Sequence, residues 1–297
     1  MGEGWGEGAS IVMGRYRKIL VAVDGSVSSK NAFIQACKIA RDDKSWVTVI
    51  TIIPLYHDQF EVLSIKENVS KALKEEGGKI LSEIKTIADK EDAFIKLKLE
   101  EGSPFDTIID IADEGNFDLI VMGRHGKTSI EKALVGSVTA RVIGYSQRDV
   151  LVVPMDTSIG WSDIFLPTDG SKYNKGATEK AIDIAKSYGG QLKVVSVVDV
   201  TEEFHTEAPG AVEELVKKAK EFVNEVKEKA EALGVKTEGF VREGESYKVI
   251  TDLSKEYNSN VIVMGSHGRT GIRRLLMGSV TEKVIGYAPC SVLVVKS

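Results

Sequence analysis

Short runs of apolar and β-branched residues alternate along this chain with longer stretches in which apolar side chains recur every three or four positions. The first pattern predicts strands buried on both faces, and the second predicts amphipathic helices. Residues 17–23 and 47–53 form two such strands, and between them Ala32, Phe33, Ala36, Cys37 and Ala40 mark one face of a helix opening after Ser26, its natural cap. A longer charged helix follows, with Leu73, Ile80, Ile84 and Ile87 on its apolar side. A third strand over 94–99, a short helix around Ile108, Ile109 and Ala112, a fourth strand over 118–122, a helix from Ser137 and a last strand over 150–153 complete the series.

The series then repeats. Strands are predicted over 164–168, 192–198, 236–241, 260–264 and 292–295. The first helix follows Ser171 with Ala177, Ala181, Ile184, Ala185 and Tyr188 inward, and the long helix carries Leu215, Ala219, Phe222, Val226 and Leu233. Val249, Ile250 and Leu253 mark the short helix, and Ser279 opens the last one. Aligned without a gap, residues 121–153 and 263–295 are identical at 20 of 33 positions, so the repeat is a duplicated domain rather than a short solenoid unit. Strands alternating with helices need crossover connections, which gives two tandem doubly wound α/β domains with parallel, Rossmann-like sheets. The expected boundaries are 15–156 and 161–297, joined by a linker over 154–160. The glycine-rich residues 1–14 read as a disordered tail or a tag.

Composition narrows what two such domains can do. With 42% hydrophobic and 28% charged residues, the chain reads as an ordinary globular protein, and 297 residues suffice for two cores. A net charge of −5 supplies no electrostatic footprint for DNA or RNA. No run approaches the roughly 18 apolar residues of a membrane span, and the N-terminus lacks the basic and apolar regions of a secretory signal. Cys37 and Cys290 stand at non-equivalent places in the two copies, and Cys37 shares an apolar helix face. Buried packing is therefore expected rather than a disulfide or a metal site, and a reducing cytoplasm fits.

The residues that carry chemistry gather where strands end. Asp24-Gly25-Ser26 and Asp169-Gly170-Ser171 follow the first strand of each copy. Gly123-x-x-Gly126, nine residues and Gly136-Ser137 follow the fourth strand of the first copy, and Gly265-x-x-Gly268, nine residues and Gly278-Ser279 follow that of the second. In open α/β sheets ligands bind beyond these carboxyl ends, near the switch in strand order. Glycines bare the main chain, and a helix N-terminus adds unpaired N–H groups and the positive end of a dipole, which together make a phosphate cradle. Lys127 and Arg269 stand at equivalent places inside the loop, where they can balance phosphate charge. Asp24 and Asp169 suit ribose hydroxyls or an amino group. A Walker loop and a dinucleotide Gly-x-Gly-x-x-Gly are both absent, which disfavours a P-loop ATPase and an NAD enzyme.

Asp-Gly-Ser after the first strand, Val-Met-Gly-x-His-Gly before the loop and Gly-Ser-Val-Thr at its close resemble the universal stress protein family, here as a tandem pair covering nearly the whole chain. The resemblance implies domains paired through their last strands, as an intramolecular pseudo-dimer, and membership of the subclass that binds ATP or AMP. It implies adenine and ribose contacts near Asp24 and Ile52 in the first copy and near Asp169 and Val197 in the second. Phosphate contacts are implied at Gly123, Gly126, Gly136, Ser137 and Thr139, with Met122, Lys127 and Val138 beside them. In the second copy they are implied at Gly265, Gly268, Gly278, Ser279 and Thr281, with Met264, His267, Arg269 and Val280 beside them. Pro167 also matches the family pattern. The first copy departs from it at Ala22 and at Arg124, a bulky cation that either adds a phosphate contact or obstructs one.

These features favour an adenine-nucleotide-dependent stress-response or signalling switch over a metabolic enzyme, with no catalytic residue assigned. Two rivals remain: a slow ATP hydrolase or nucleotidyl-transfer enzyme using Asp169, His267 and Arg269, and a nucleotide-free interaction module whose glycines only shape turns. In that last reading Asp24 and Asp169 merely cap helices, and His125 and His267 stabilise turns. Arg273 and Arg274 read as a solvated surface. No cluster of Cys and His at metal spacing implies a structural ion, whereas Mg²⁺ would accompany a triphosphate. A homodimer of the whole chain and a further protein partner are both compatible with this picture.

Overall fold

The computed structural model describes residues 16–55, 63–127, 134–172, 174–267 and 277–296. The first half runs β1 (Lys18–Ala22), α1 (Val27–Asp43), β2 (Trp46–Ile53), α2 (Leu63–Lys90), β3 (Ile95–Glu101), α3 (Pro104–Glu114), β4 (Leu119–Gly123), α4 (Ser137–Tyr145) and β5 (Asp149–Val153). The second half begins β6 (Asp163–Pro167), α5 (Lys175–Tyr188), β7 (Gln191–Val198), α6 (Glu202–Glu207) and α7 (Pro209–Ala232). It continues β8 (Thr237–Glu243), α8 (Ser246–Glu256), β9 (Val261–Gly265), α9 (Ser279–Tyr287) and β10 (Ser291–Val295).

All ten strands join one sheet in the order β3-β2-β1-β4-β5-β10-β9-β6-β7-β8. Pairing is parallel within each half and antiparallel only at the seam, where Val152, Leu151 and Val150 face Val292, Leu293 and Val294. The last strands therefore cover each other's edges, as edge protection demands and as the family resemblance implies. Because direction reverses at the seam, the carboxyl ends of the two half-sheets lie at opposite rims.

The two-residue period of each strand feeds two apolar layers. Ile19 and Val21 point toward α1 and α2 with Phe33, Ile39 and Ile84, while Leu20 and Ile120 point the other way with Ile108, Val142 and Ile143. The second half does the same with Ile164 and Leu166 on one side and Phe165, Ile262 and Ile285 on the other. Cys37 and Cys290 are both free and buried. Burial pushes the pKa of each thiol up to about 12, so both are protonated and unreactive near neutral pH.

Local departures from the sequence pattern have local causes. Helix α5 starts at Lys175 with Asn174, not Ser171, at the cap position. The Asn174 side chain is turned back, donating to the Pro167 carbonyl at 3.1 Å and accepting from the Thr178 hydroxyl. Leu233 is 50% exposed instead of packed, since α7 ends at Ala232 and the chain leaves the sheet before the next inward position; Val235 takes the buried place. Phe94 is 91% exposed and precedes β3 rather than opening it. Helix α6 is an addition that hydrophobic periodicity did not reveal, because it buries no residue. The linker is fastened along α1: Asn31 Nδ2 donates to the carbonyls of Pro154 and Thr157, and the Ile159 N–H donates to Gln35.

Candidate functional site

In each half the strand order turns back between the first and fourth strands, so β1 and β4, and likewise β6 and β9, deliver their following loops to one crevice. Gly25 at φ +82 and Gly170 at φ +69 make the sharp exits from β1 and β6, a conformation that side chains with a Cβ rarely adopt. In the first half Asp24 Oδ1 accepts from the Ser26 N–H at 3.0 Å, and its Oδ2 accepts from the Lys127 N–H at 2.8 Å. Asp24 is thus not the helix cap; Ser26 is, accepting from the Ser29 N–H at 3.1 Å. Burial alone would raise the Asp24 carboxyl, but the hydrogen bonds from Ser26 and Lys127 outweigh it and hold the pKa below its ordinary value. In the second half Asp169 accepts from the Ser171 N–H at 2.9 Å.

The cradle backbone is the same twice. The Gly136 N–H donates to the Arg124 carbonyl, and the Gly278 N–H to the Ser266 carbonyl, each at 2.9 Å. The Thr139 hydroxyl donates to the Gly123 carbonyl and the Thr281 hydroxyl to the Gly265 carbonyl, each at 3.1 Å. Both threonines are buried, so their protons are committed to shaping the loop. Ser137 and Ser279 are the first helical residues rather than caps. The cap positions belong to Gly136 and Gly278, which have no side chain to cap with, and among the described residues no side chain claims the first-turn N–H groups of α4 and α9.

The glycines divide by what the protein itself requires. A Cβ on Gly123 would sit 2.7 Å from Ser28 Oγ and 2.8 Å from the Ser29 backbone nitrogen, and one on Gly126 would sit 2.5 Å from Asp24 Oδ2. Those two glycines serve packing. Gly136 and Gly278 have φ of −59° and −65°, and a Cβ on either would meet nothing nearer than 3.4 Å and 3.5 Å, an ordinary contact. Neither backbone strain nor a neighbour among the described residues calls for glycine there.

Side chains around the two cradles differ. Arg124 takes neither role expected of it: it crosses the seam, donating from Nη1 to the Gly286 carbonyl at 3.0 Å and from Nη2 to the Ala288 carbonyl at 2.5 Å. These carbonyls close the C-terminus of α9, a favourable place for a cation. Burial lowers the Arg124 pKa to about 10, which leaves it charged near neutral pH. Lys127 lies across Gly25 and pairs with Glu76 of α2 at 2.9 Å. In the second half Phe222 of α7 lies over Gly170, where a Cβ would meet its ring at 2.3 Å. Ser266, the counterpart of Arg124, stays local, 3.1 Å from His267 Nδ1. The return tie across the seam comes from Lys296, whose ammonium donates to the Ile143 carbonyl near the end of α4.

Of the remaining expected residues, Ile52 and Val197 are half-buried near the ends of β2 and β7, over the α3 and α8 layers. Met122 and Met264 are core residues, Pro167 is buried at the end of β6, Val138 is half-buried and Val280 is exposed. Gly268, Arg269, Arg273 and Arg274, and residues 1–14, lie outside the described residues. Glu76 and Phe222 are the two contributors that the sequence did not mark as such, since each fits an ordinary helix surface or core stripe. Among the described residues no group of three His, Cys, Asp or Glu side chains is placed to hold a metal ion. No helix among them is long and apolar enough to cross a membrane.

A tandem α/β protein with two Rossmann-like half-sheets and duplicated glycine loops is the class this architecture defines. The chain belongs to the universal stress protein family, whose model matches residues 15–154 and again 160–296. It is 39% identical over 140 residues to a universal stress protein of Methanocaldococcus jannaschii, a match covering 46% of this chain and 82% of that protein. It is 32% identical over 145 residues to a putative universal stress protein of Staphylococcus aureus, covering 47% of this chain and 86% of that one. The crystal structure of a universal stress protein from Archaeoglobus fulgidus superposes along 96% of this chain and 97% of its own with a TM-score of 0.70 at 21% identity. A putative universal stress protein from Pseudomonas aeruginosa does so over 96% and 94% with a TM-score of 0.62 at 20% identity. Both share the fold of the whole chain.

Proposed function

We propose that the chain is an adenine-nucleotide-binding stress-response or signalling protein. Each half carries one site for ATP or AMP, and the bound nucleotide acts as a switch on the paired domains. The observation that carries this reading is the pair Gly136 and Gly278: each stands at a helix cap where the described residues leave room for a side chain, beside N–H groups that no described side chain claims. A phosphate entering there meets the first-turn amides of Ser137, Val138 and Thr139, or of Ser279, Val280 and Thr281, at the positive end of a helix dipole. Asp24, Asp169, Ile52 and Val197 stand at strand ends suited to the nucleoside. Where a triphosphate binds, Mg²⁺ would neutralise its charge, held chiefly by phosphate and water.

The test is isothermal calorimetry with ATP and with AMP on protein stripped of any copurified nucleotide. Gly136→Ser and Gly278→Ser separate ligand from fold. Serine is a better cap than glycine, so each variant should keep or slightly raise the melting temperature, while its side chain fills the phosphate position. Saturable binding that falls at least tenfold at the substituted site is expected. Stripped protein that binds neither nucleotide, or binding unchanged in the double serine variant, overturns the proposal.

A further inference from the structure

The described surface also carries a cleft of about 380 Å³ at the amino ends of β1, β2 and β3, the end away from the glycine loops. Lys18, Lys96 and Lys98 line it with one acid, Glu114, Trp46 forms one lip, and Phe117 and Gly115 lie at its base. Lys18 Nζ donates to the Gly115 carbonyl at 3.1 Å, which leaves Lys96 and Lys98 as its open cations. Trp46 is 77% exposed and Phe94 91% exposed, and the register of Val47 with Ile95 puts these two residues at neighbouring positions where their strands begin. Among the described residues no carboxylate forms an ion pair with Lys18 or Lys96; Lys98 has only Glu100, at 3.6 Å.

The duplicated half supplies an internal control. Ile50 pairs with Lys98 in the first half where Val195 pairs with Phe240 in the second, and Gly115 follows α3 where Tyr257 follows α8. In the second half Phe240 and Tyr257 stack at 5.0 Å, Lys193 lies 5.5 Å over the Tyr257 ring and pairs with Asp163 at 3.3 Å, and the corner is filled and neutralised. In the first half the stacked pair is gone. Phe117 occupies the space a Cβ on Gly115 would need, at 2.4 Å, and the room above it stays open. Register also replaces two acids with cations: Lys18 stands where Asp163 does, and Lys96, opposite Thr48, where Glu238 stands opposite Lys193. A protein of net charge −5 has thus placed cations, an open cleft and bare aromatic rings together in one copy only.

We propose that this cleft binds a small organic anion with a flat apolar body, its acid group held by Lys96 and Lys98 and its ring laid on Trp46. The volume is that of a small-molecule site, and exposed aromatic rings beside ammonium groups are suited to such a ligand. The cleft is separate from the glycine loops and does not depend on nucleotide binding there.

Naphthalene-2-sulfonate is a suitable probe, with the uncharged naphthalene-2-sulfonamide as its control, titrated into the full chain by calorimetry and by amide NMR. The sulfonate should bind saturably and at least tenfold more tightly than the sulfonamide. Lys96→Glu, and separately Lys98→Phe, which restores the residue of the second half, should each weaken it at least tenfold while leaving the far-ultraviolet dichroism and any nucleotide binding unchanged. Amide shifts should centre on β2, β3 and the end of α3. Equal binding of the two probes, shifts centred elsewhere, or indifference to both variants overturns the proposal. So does binding seen only with an acidic peptide such as hexaglutamate, which would make the surface a protein-docking patch.

Discussion

The two glycine loops share their described main-chain hydrogen bonds and the threonine that braces them, and differ in a few side chains set against them. In the first half the chain's own cations are engaged: Arg124 on the far half and Lys127 on Glu76, with Asp24 holding the Lys127 amide. In the second half a phenyl ring covers the first turn and a small serine stands where the arginine was. Duplication has therefore kept the main-chain hydrogen bonds of the cradle, which any ligand of that shape needs, and released the residues that tune access and charge. Two copies of one motif need not be two equal sites. Under the proposed reading, the first would have to surrender the Lys127–Glu76 pair for that lysine to meet a phosphate.

The largest effect belongs to the seam that both halves share. Leu293→Asp places a carboxylate opposite Leu151 in a pair of strands with no solvent on either side. It should destabilise the protein by more than about 3 kcal/mol, read as a fall in the urea midpoint for both halves together. A loss confined to one half would mean that the seam does not bind them into one unit. Arg124→Ser gives the first loop the residue of the second and removes the donors of two carbonyls. A loss of about 1–3 kcal/mol is expected, and no change in the urea midpoint would show that the crossing contributes nothing.

The smallest effect is the acid response of the first loop. The Asp24 pKa lies below its unfolded value, so the stability its hydrogen bonds supply is fully present above pH of about 4 and is lost as pH falls through the folded value. Asp24→Asn should flatten the pH dependence of the melting temperature in that range. Unaltered acid sensitivity in the variant would show that other carboxylates govern it.

Most of the fold was legible because strand and helix periodicity are properties of neighbouring residues. Both domains, all ten strands and the site of both loops could be read from alternation and from glycines at strand ends. The failures fall where a residue's partner is remote or where a helix starts or stops. Arg124 was visible as an odd cation in a glycine loop, yet its acceptors lie 162 and 164 residues away, across a pairing that no local pattern encodes. Leu233 kept the helical period one step past the point where the backbone left the helix. Ser171 had the chemistry of a cap, but the Asn174 side chain fixed the start of α5 three residues later. Of the candidate site, the residues that shape the described backbone were readable, and Glu76 and Phe222, which lie against Lys127 and Gly170, were not.

Reversal of strand direction at the seam has a mechanical consequence. Helix α9 starts at the second cradle and finishes against Arg124 beside the first, a rigid rod of nine residues, roughly 13 Å long. Helix α4 starts at the first cradle and ends against Lys296, just past β10. The pair run in opposite senses, each with its first turn at one cradle and its last turn tied by a cation from the other half, so each helix links the two rims of the sheet.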